Sequence, residues 1–210
     1  SNWVNAVAIA PDGKLAISGS DDNTLKVWNL TTRAEMFTLI SSPVTSDLHP
    51  YPQPPLLSRA RSWIYKSDAS GLDITGHSDS VNAVEIAPDG KLAISGSADK
   101  TLKAWDLETG KELFTLKGHS SWVNTVAIAR SGKLAISGSG DNTLKVWDLE
   151  TGEVLCTLTG HSDSVNAVAI APDGKRAISG SDDDTLKVWN LETGVELFTL
   201  NGHSDSVRAV

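Results

Sequence analysis

Short apolar runs alternate with polar clusters along the chain, and none of the apolar runs carries the three-to-four-residue spacing of a helix. The stretch "VNAVAIA" is apolar at every position but its second, which is the pattern of a strand covered on both faces. "PDG" follows, a turn in which Pro presets φ and Gly accepts a positive one. "KLAIS" is a second strand and "GSDDN" a polar turn, after which "TLKVW" alternates and ends on Trp. "LETG" then turns the chain into "ELFTL", a fourth strand. The pattern predicts four short antiparallel strands with tight turns between them.

This set of four recurs. "GHSDSV" stands at 76–81, 160–165 and 202–207, and "GHSSWV" at 118–123, a constant step of 42 residues. Full copies run 76–117, 118–159 and 160–201, and the first and last of these differ at only eight of 42 positions. A front copy, 1–40, aligns its "SNWVNAVAIA" with "SSWVNTVAIA" at 120–129 and lacks the leading Gly-His. A period of this length marks a propeller, solenoid or array. One small four-stranded sheet cannot bury both its faces and needs a neighbour on each side. The predicted fold is therefore all-β, a β-propeller of four-stranded antiparallel blades: blade 1 at 1–40, blade 2 at 76–117, blade 3 at 118–159 and blade 4 at 160–201.

Composition narrows the function. A formal charge of −8 argues against nucleic acid and anionic membrane surfaces, which call for a basic face. No stretch approaches the roughly 18 apolar residues of a membrane span, and no signal peptide is visible, although residue 1 is Ser and a trimmed start is compatible with that. The single cysteine, Cys156, excludes an internal disulfide framework and suits a reducing, cytoplasmic setting. No cofactor motif is present.

The residues "GHSDSVNAVAIAPDGKLAISGS.D.TLKVWD" closely resemble the WD-repeat (WD-40, beta-transducin-like) propellers. The resemblance covers everything outside 41–75, with Gly-His, Pro-Asp-Gly, Ser-x-Asp-x-Thr and Trp-Asp/Asn recurring in register, and the closeness of the copies is similar to that of bacterial arrays of this family. The resemblance implies a hydrogen-bonded group of four in each blade: His77, Ser95, Asp99 and Trp105 in blade 2, His119, Ser137, Asp141 and Trp147 in blade 3, His161, Ser179, Asp183 and Trp189 in blade 4, and Ser18, Asp22 and Trp28, without a His, in blade 1. It also implies that partners dock on the rim made by the loops before the first and after the second strand. There the copies diverge: Trp3, Ser80, Trp122, Ser164 and Ser206 before the first strand, Asn5, Asn82, Asn124, Asn166 and Arg208 within it, and Asp21, Ala98, Gly140 and Asp182 before the turn Asp. Trp, Asn and Arg beside a channel have the composition of a binding surface, and Trp3 and Trp122 lead it; drift at exposed positions is the plainer explanation of the same divergence.

Ser, His and Asp together also suggest a hydrolytic triad. Three near-identical triads and no G-x-S-x-G turn weigh toward a repeated structural latch instead. The histidines fall one per blade, which leaves no pair at metal-ligand spacing. Cys156 takes the place of Phe37, Phe114 and Phe198 and reads as a small buried hydrophobe rather than a reactive thiol. Asn29, Asp106, Asp148 and Asn190, after each strand-ending Trp, begin the next turn.

Residues 41–75 hold five of the eight prolines and break the repeat. A rim loop, a decayed blade and a misread stretch of a repetitive gene all fit, and Trp63 within it has no assigned place. Residues 202–210, "GHSDSVRAV", read as the start of a further blade whose innermost strand begins at Val207. Both ends then look like cuts through a longer array of six to eight blades, and an open arc would expose an apolar blade face at each end and self-associate through it. The function this supports is a non-enzymatic scaffold binding proteins or peptides on its rim. A sensor or regulatory module of a larger enzyme or signalling protein is the alternative.

Overall fold

The computed structural model describes residues 2–39 and 76–210. The interruption at 41–75, with Trp63 and the three readings of it, lies outside the described residues. Among the described residues there are sixteen strands and no helix. They form four antiparallel sheets, each built in chain order: β1 (Val4–Ile9), β2 (Leu15–Ser20), β3 (Leu25–Asn29) and β4 (Ala34–Leu39); β5 (Val81–Ile86), β6 (Leu92–Ser97), β7 (Thr101–Asp106) and β8 (Lys111–Lys117); β9 (Val123–Ile128), β10 (Leu134–Ser139), β11 (Thr143–Asp148) and β12 (Val154–Thr159); β13 (Val165–Ile170), β14 (Arg176–Ser181), β15 (Leu186–Asn190) and β16 (Glu196–Leu200).

Local chemistry sets these boundaries. The turn glycines Gly13, Gly90, Gly132 and Gly174 take φ of 70–72°, a left-handed conformation that costs Gly little. In each, the Gly N–H donates to the carbonyl three residues back, as Gly90 does to Ala87 at 2.8 Å. The turn after the second strand places Asn23, Lys100, Asn142 and Asp184 at φ of 66–72°, and three of these four are the Asn or Asp that tolerate it best. The first strand of each blade carries a register shift near its start, as between Val81 and Ala83. A bulge there turns the residue at its centre, Asn5, Asn82 or Asn124, toward the next blade rather than along its own ladder.

The core lies between blades rather than within them. Ile94, Leu102, Ala104 and Leu116 of blade 2 pack with Val123, Val126, Ile128 and Trp147 of blade 3. Equivalent clusters join blade 1 to blade 2 and blade 3 to blade 4. A glycine in each second strand marks the closest approach. A Cβ on Gly19, Gly96, Gly138 or Gly180 would lie 2.5–2.6 Å from Cγ1 of Val81, Val123, Val165 or Val207 respectively, so each valine needs a bare backbone to sit against. The contact between Gly19 and Val81 makes blades 1 and 2 direct neighbours, packed as the other pairs are, although 35 residues of sequence separate them.

The arc does not close. Val4, Val7 and Ile9 on the first strand are 60–62% exposed, where Val81 and Val123 are fully buried. On blade 4, Leu200 is 43% exposed, whereas its counterparts Leu39, Leu116 and Leu158 are at most 1% exposed. Residues 203–210 form no strand. Val207 nevertheless docks against blade 4, with its N–H on the Ser181 carbonyl at 2.9 Å.

Candidate functional site

Each complete polar group is a relay that links the third strand of its blade to the second and to the turns that flank it. In blade 2 the Trp105 indole N–H donates to Ser95 Oγ at 2.8 Å. Ser95 Oγ lies 2.7 Å from His77 Nε2, and His77 Nδ1 lies 2.8 Å from Asp99 Oδ2. Blades 3 and 4 repeat the geometry through Trp147, Ser137, His119 and Asp141, and through Trp189, Ser179, His161 and Asp183. With the imidazole neutral and its proton on Nδ1, every donor finds an acceptor: indole to hydroxyl, hydroxyl to Nε2, Nδ1–H to carboxylate. Each Asp also accepts from the hydroxyl and the N–H of the Thr two residues on, and from the N–H after the His. In blade 1, Trp28 donates to Ser18 at 2.9 Å and Asp22 accepts from Thr24.

Burial and these bonds set the ionisation. Burial pushes the Asp141 and Asp183 carboxyls up, but the Thr hydroxyl, the Ser N–H and the imidazole together outweigh it and hold both at about 2. Asp99 is likewise pushed up by burial and pulled well below the usual carboxylate range by His77, Thr101 and the Ser78 N–H. Burial pushes the His119 and His161 imidazoles below their ordinary value, and the Asp partners offset this only in part. Ser95, Ser137 and Ser179 are fully buried.

The turns before the first and after the second strand are laced into one rim. Backbone N–H groups of Asp21, Ala98, Gly140 and Asp182 donate to the carbonyls of Trp3, Ser80, Trp122 and Ser164 at 2.9–3.0 Å. Asn82, Asn124, Asn166, Asp182 and Arg208 come together around a polar cavity of about 320 Å³. Asn5 and Asp21 do not line it; they pair with each other at 2.6 Å on blade 1. Trp3 and Trp122 stand outside it, 78% and 60% exposed.

The asparagines carry a bond that the sequence did not announce. Nδ2 of Asn5, Asn82 and Asn124 donates to the carbonyl of Val81, Val123 and Val165 on the following blade, at 3.1–3.2 Å. Asn166 instead donates to Asp182 at 2.7 Å. The amide nitrogens thus clasp neighbouring blades, and Asn124 Nδ2 also donates to Asn166 Oδ1 at 3.2 Å. A second feature missed in sequence is a Lys–Glu–Thr cluster on the third and fourth strands. Lys103 Nζ donates to Glu112 and Thr115 at 2.9 Å, and Lys187 to Glu196 and Thr199 at 3.0 and 2.7 Å. The available signal was the recurrence of Lys, Glu and Thr at constant offsets. Blade 3 has Val154 where the Glu would stand, and Lys145 reaches only Thr157. Among the described residues no group of His, Cys, Asp and Glu is placed to hold a metal ion, and no helix is long and apolar enough to cross a membrane.

Four-stranded blades, stacked face to face, three of them carrying the same internal polar relay and the first a shortened form of it, define a β-propeller repeat protein. The chain belongs to the WD-repeat family: the family described as "WD domain, G-beta repeat" matches residues 1–29, 70–106, 110–148 and 152–190. It is similar to the nuclear distribution protein PAC1 of Debaryomyces hansenii, 34% identical over 96 residues, which is 46% of this chain and 15% of that protein. It is 30% identical to the protein groucho of Drosophila melanogaster over 121 residues, 53% of this chain and 17% of that one. A PAC1 protein of Scheffersomyces stipitis is 35% identical over 94 residues, 45% of this chain and 15% of that one. The aligned part thus spans less than a fifth of the length of these curated relatives.

Proposed function

We propose that the chain is a non-enzymatic scaffold in a cytoplasmic setting that holds protein or peptide partners on the rim carrying Trp3, Trp122 and the asparagine-lined cavity. The observation that carries this reading is the exposure of two tryptophans, 78% and 60%, at the same end of the blades as a polar recess. Exposed Trp is costly to leave in water, and it is the residue most enriched at binding hot spots. The full burial of Ser95, Ser137 and Ser179 supports the non-enzymatic half of the proposal, because a nucleophile has to be reached by its substrate. The polar groups of four then serve as structural latches.

The test is a displayed-peptide selection on the wild-type chain, followed by affinity measurement on Trp3→Ala and Trp122→Ala. Both variants keep their melting temperature, and the selected peptides lose at least about fivefold in affinity, ~1 kcal/mol, on one or both. Peptides that bind both variants as tightly as wild type would move the binding surface elsewhere. A second proposed role is self-association, favoured by the uncovered apolar faces of blades 1 and 4.

A further inference from the structure

We infer that the outer strand of blade 3, β12, takes up an extended acidic peptide as a fifth strand, with a carboxylate of that peptide held by Lys145 and Thr157. This surface is separate from the rim, and the inference does not rest on rim binding. Blade 3 packs against blade 2 on one face and blade 4 on the other, so its surroundings are set by its own neighbours.

The other three blades show what the carboxylate site looks like when filled. In blade 1, Lys26 Nζ donates to Glu35 at 2.7 Å, and Thr38 Oγ1 donates to the same carboxylate at 2.9 Å. Lys103 and Thr115 hold Glu112 in this way in blade 2, and Lys187 and Thr199 hold Glu196 in blade 4. In each, the Lys on the third strand lies directly opposite the Thr on the fourth. Blade 3 keeps both holders, Lys145 and Thr157, in the same register, but Val154 takes the place of the Glu. Lys145 Nζ donates to Thr157 Oγ1 at 2.8 Å, and among the described residues no carboxylate lies within ion-pair distance of it. The neighbouring glycines register the difference. A Cβ on Gly160 would lie 2.7 Å from Glu196 Oε2, whereas a Cβ on the equivalent Gly118 would meet Trp147 and Lys145 first, at 3.4 and 3.5 Å. A lysine and a hydroxyl arranged for a carboxylate, with none of their own, make a site for one from outside.

The same substitution unblocks the strand edge. Each outer strand is paired on one side only and presents unpaired backbone groups on the other. Charged side chains blunt such an edge, and β4, β8 and β16 each carry at least one: Glu35, Glu112 and Glu196. β12 reads "VLCTLT" and carries none, and its Val154 and Leu155 are 38% and 55% exposed. Among the described blades it is the outer strand that a further strand can join without burying a charge of the blade's own. Residues 156–159 pair with β11 in unbroken register, so the ladder at Thr157 is regular. Reach then fixes where the acid belongs. Residues directly opposite on adjacent antiparallel strands have Cβ atoms about 4.5–5.5 Å apart. A Glu or Asp opposite Thr157 on the added strand shares a face with Thr157 and Lys145 and brings its carboxylate to both. The peptide completes from outside the cluster that blades 1, 2 and 4 complete from within.

The test uses the 210-residue chain labelled with nitrogen-15 and titrated with a blocked synthetic peptide, Thr-Val-Thr-Glu-Thr-Val-Thr, and with a twin in which Gln replaces Glu. The expected result is that the amide resonances of β12 and Lys145 move, and that the twin binds at least about fivefold more weakly. Lys145→Gln lowers the affinity for the Glu peptide by a similar factor and removes its advantage over the twin. Val154→Glu supplies the carboxylate from within, as the other blades do, and weakens peptide binding at least as much while the chain stays folded. Should Lys145→Gln lose its dispersed spectrum, Val154→Glu decides alone. No movement in β12 at millimolar peptide, equal affinity for the twin, or a Val154→Glu chain that binds as tightly as wild type would each overturn the inference. Resonances of β12 that move with protein concentration alone would assign the edge to a second copy of the chain. Acetate that moves them as far as the peptide does would reduce it to an anion site. Either result overturns peptide docking.

Discussion

Burial favours the neutral form of the histidine in the relays of blades 3 and 4. Ser137 Oγ accepts the indole N–H of Trp147, and with His119 Nε2 unprotonated it gives its own proton to that nitrogen. A second proton on that imidazole would turn Nε2 from acceptor to donor, so the hydroxyl would lose the acceptor of its own proton, and the added charge is one that burial already disfavours. The sign of the pH dependence follows. His119 and His161 lie below their ordinary 6.5 when folded, so the unfolded chain takes up protons first as pH falls. Their contribution is complete above about pH 6.5 and erodes below it. Asp141 and Asp183 are held at about 2 against an ordinary 3.8, and their contribution is lost as pH falls from near 4 toward 2. Urea-unfolding midpoints should therefore be level above neutrality, decline below about pH 6.5 and fall again below about pH 4. A midpoint that stays level down to about pH 5 would contradict the neutral imidazoles.

At the scale of the strand, the close approach of one blade to the next depends on a residue that is not there. Gly138 sits on β10 with Val165 of β13 against it. A Cβ at this position would meet Val165 Cγ1 at 2.6 Å and Thr125 Cγ2 at 2.8 Å. Both are branched side chains held by their own packing, and Val165 is fully buried. Gly138→Ala should destabilise the protein by roughly 1–3 kcal/mol, the usual cost of overpacking. Adding Val165→Ala should return part of that loss, because the two changes share one space. Thermal unfolding of the two single variants and the double variant measures the coupling. Strictly additive effects would show that the valine is not what the glycine accommodates.

Among the described residues the apolar clusters join each blade to the one next to it, so stability is shared unequally. Blades 2 and 3 are covered on both faces, whereas blades 1 and 4 each leave one apolar face in water. In the 210-residue chain, amide hydrogen exchange should be fastest in β1–β4 and β13–β16 and slowest in β6, β7, β10 and β11. Uniform protection across all four blades would mean that they unfold as one cooperative unit.

The sequence by itself determined what depends on neighbours along the chain. Turns are local, so Pro-Asp-Gly and Ser-x-Asp-x-Thr mark where each strand stops, and four strands between successive Gly-His pairs can only pair antiparallel through such short connections. The period of 42 residues then made the fold class legible. The residue types able to form a polar relay were legible too, because each recurs at one offset in every full copy. Tertiary structure alone decided how groups far apart in sequence use their bonds. Asn5, Asn82 and Asn124 of the first strands read as rim residues; the fold spends their nitrogen on a carbonyl 41 or 76 residues away. Val207 reads as the opening of a strand, yet it docks singly, without a ladder beyond it. Val4 and Val123 carry the same sequence signal, but one is 60% exposed and the other fully buried. A strand's own pattern states which of its faces prefers to be covered. Only the arrangement of the blades determines whether anything covers it.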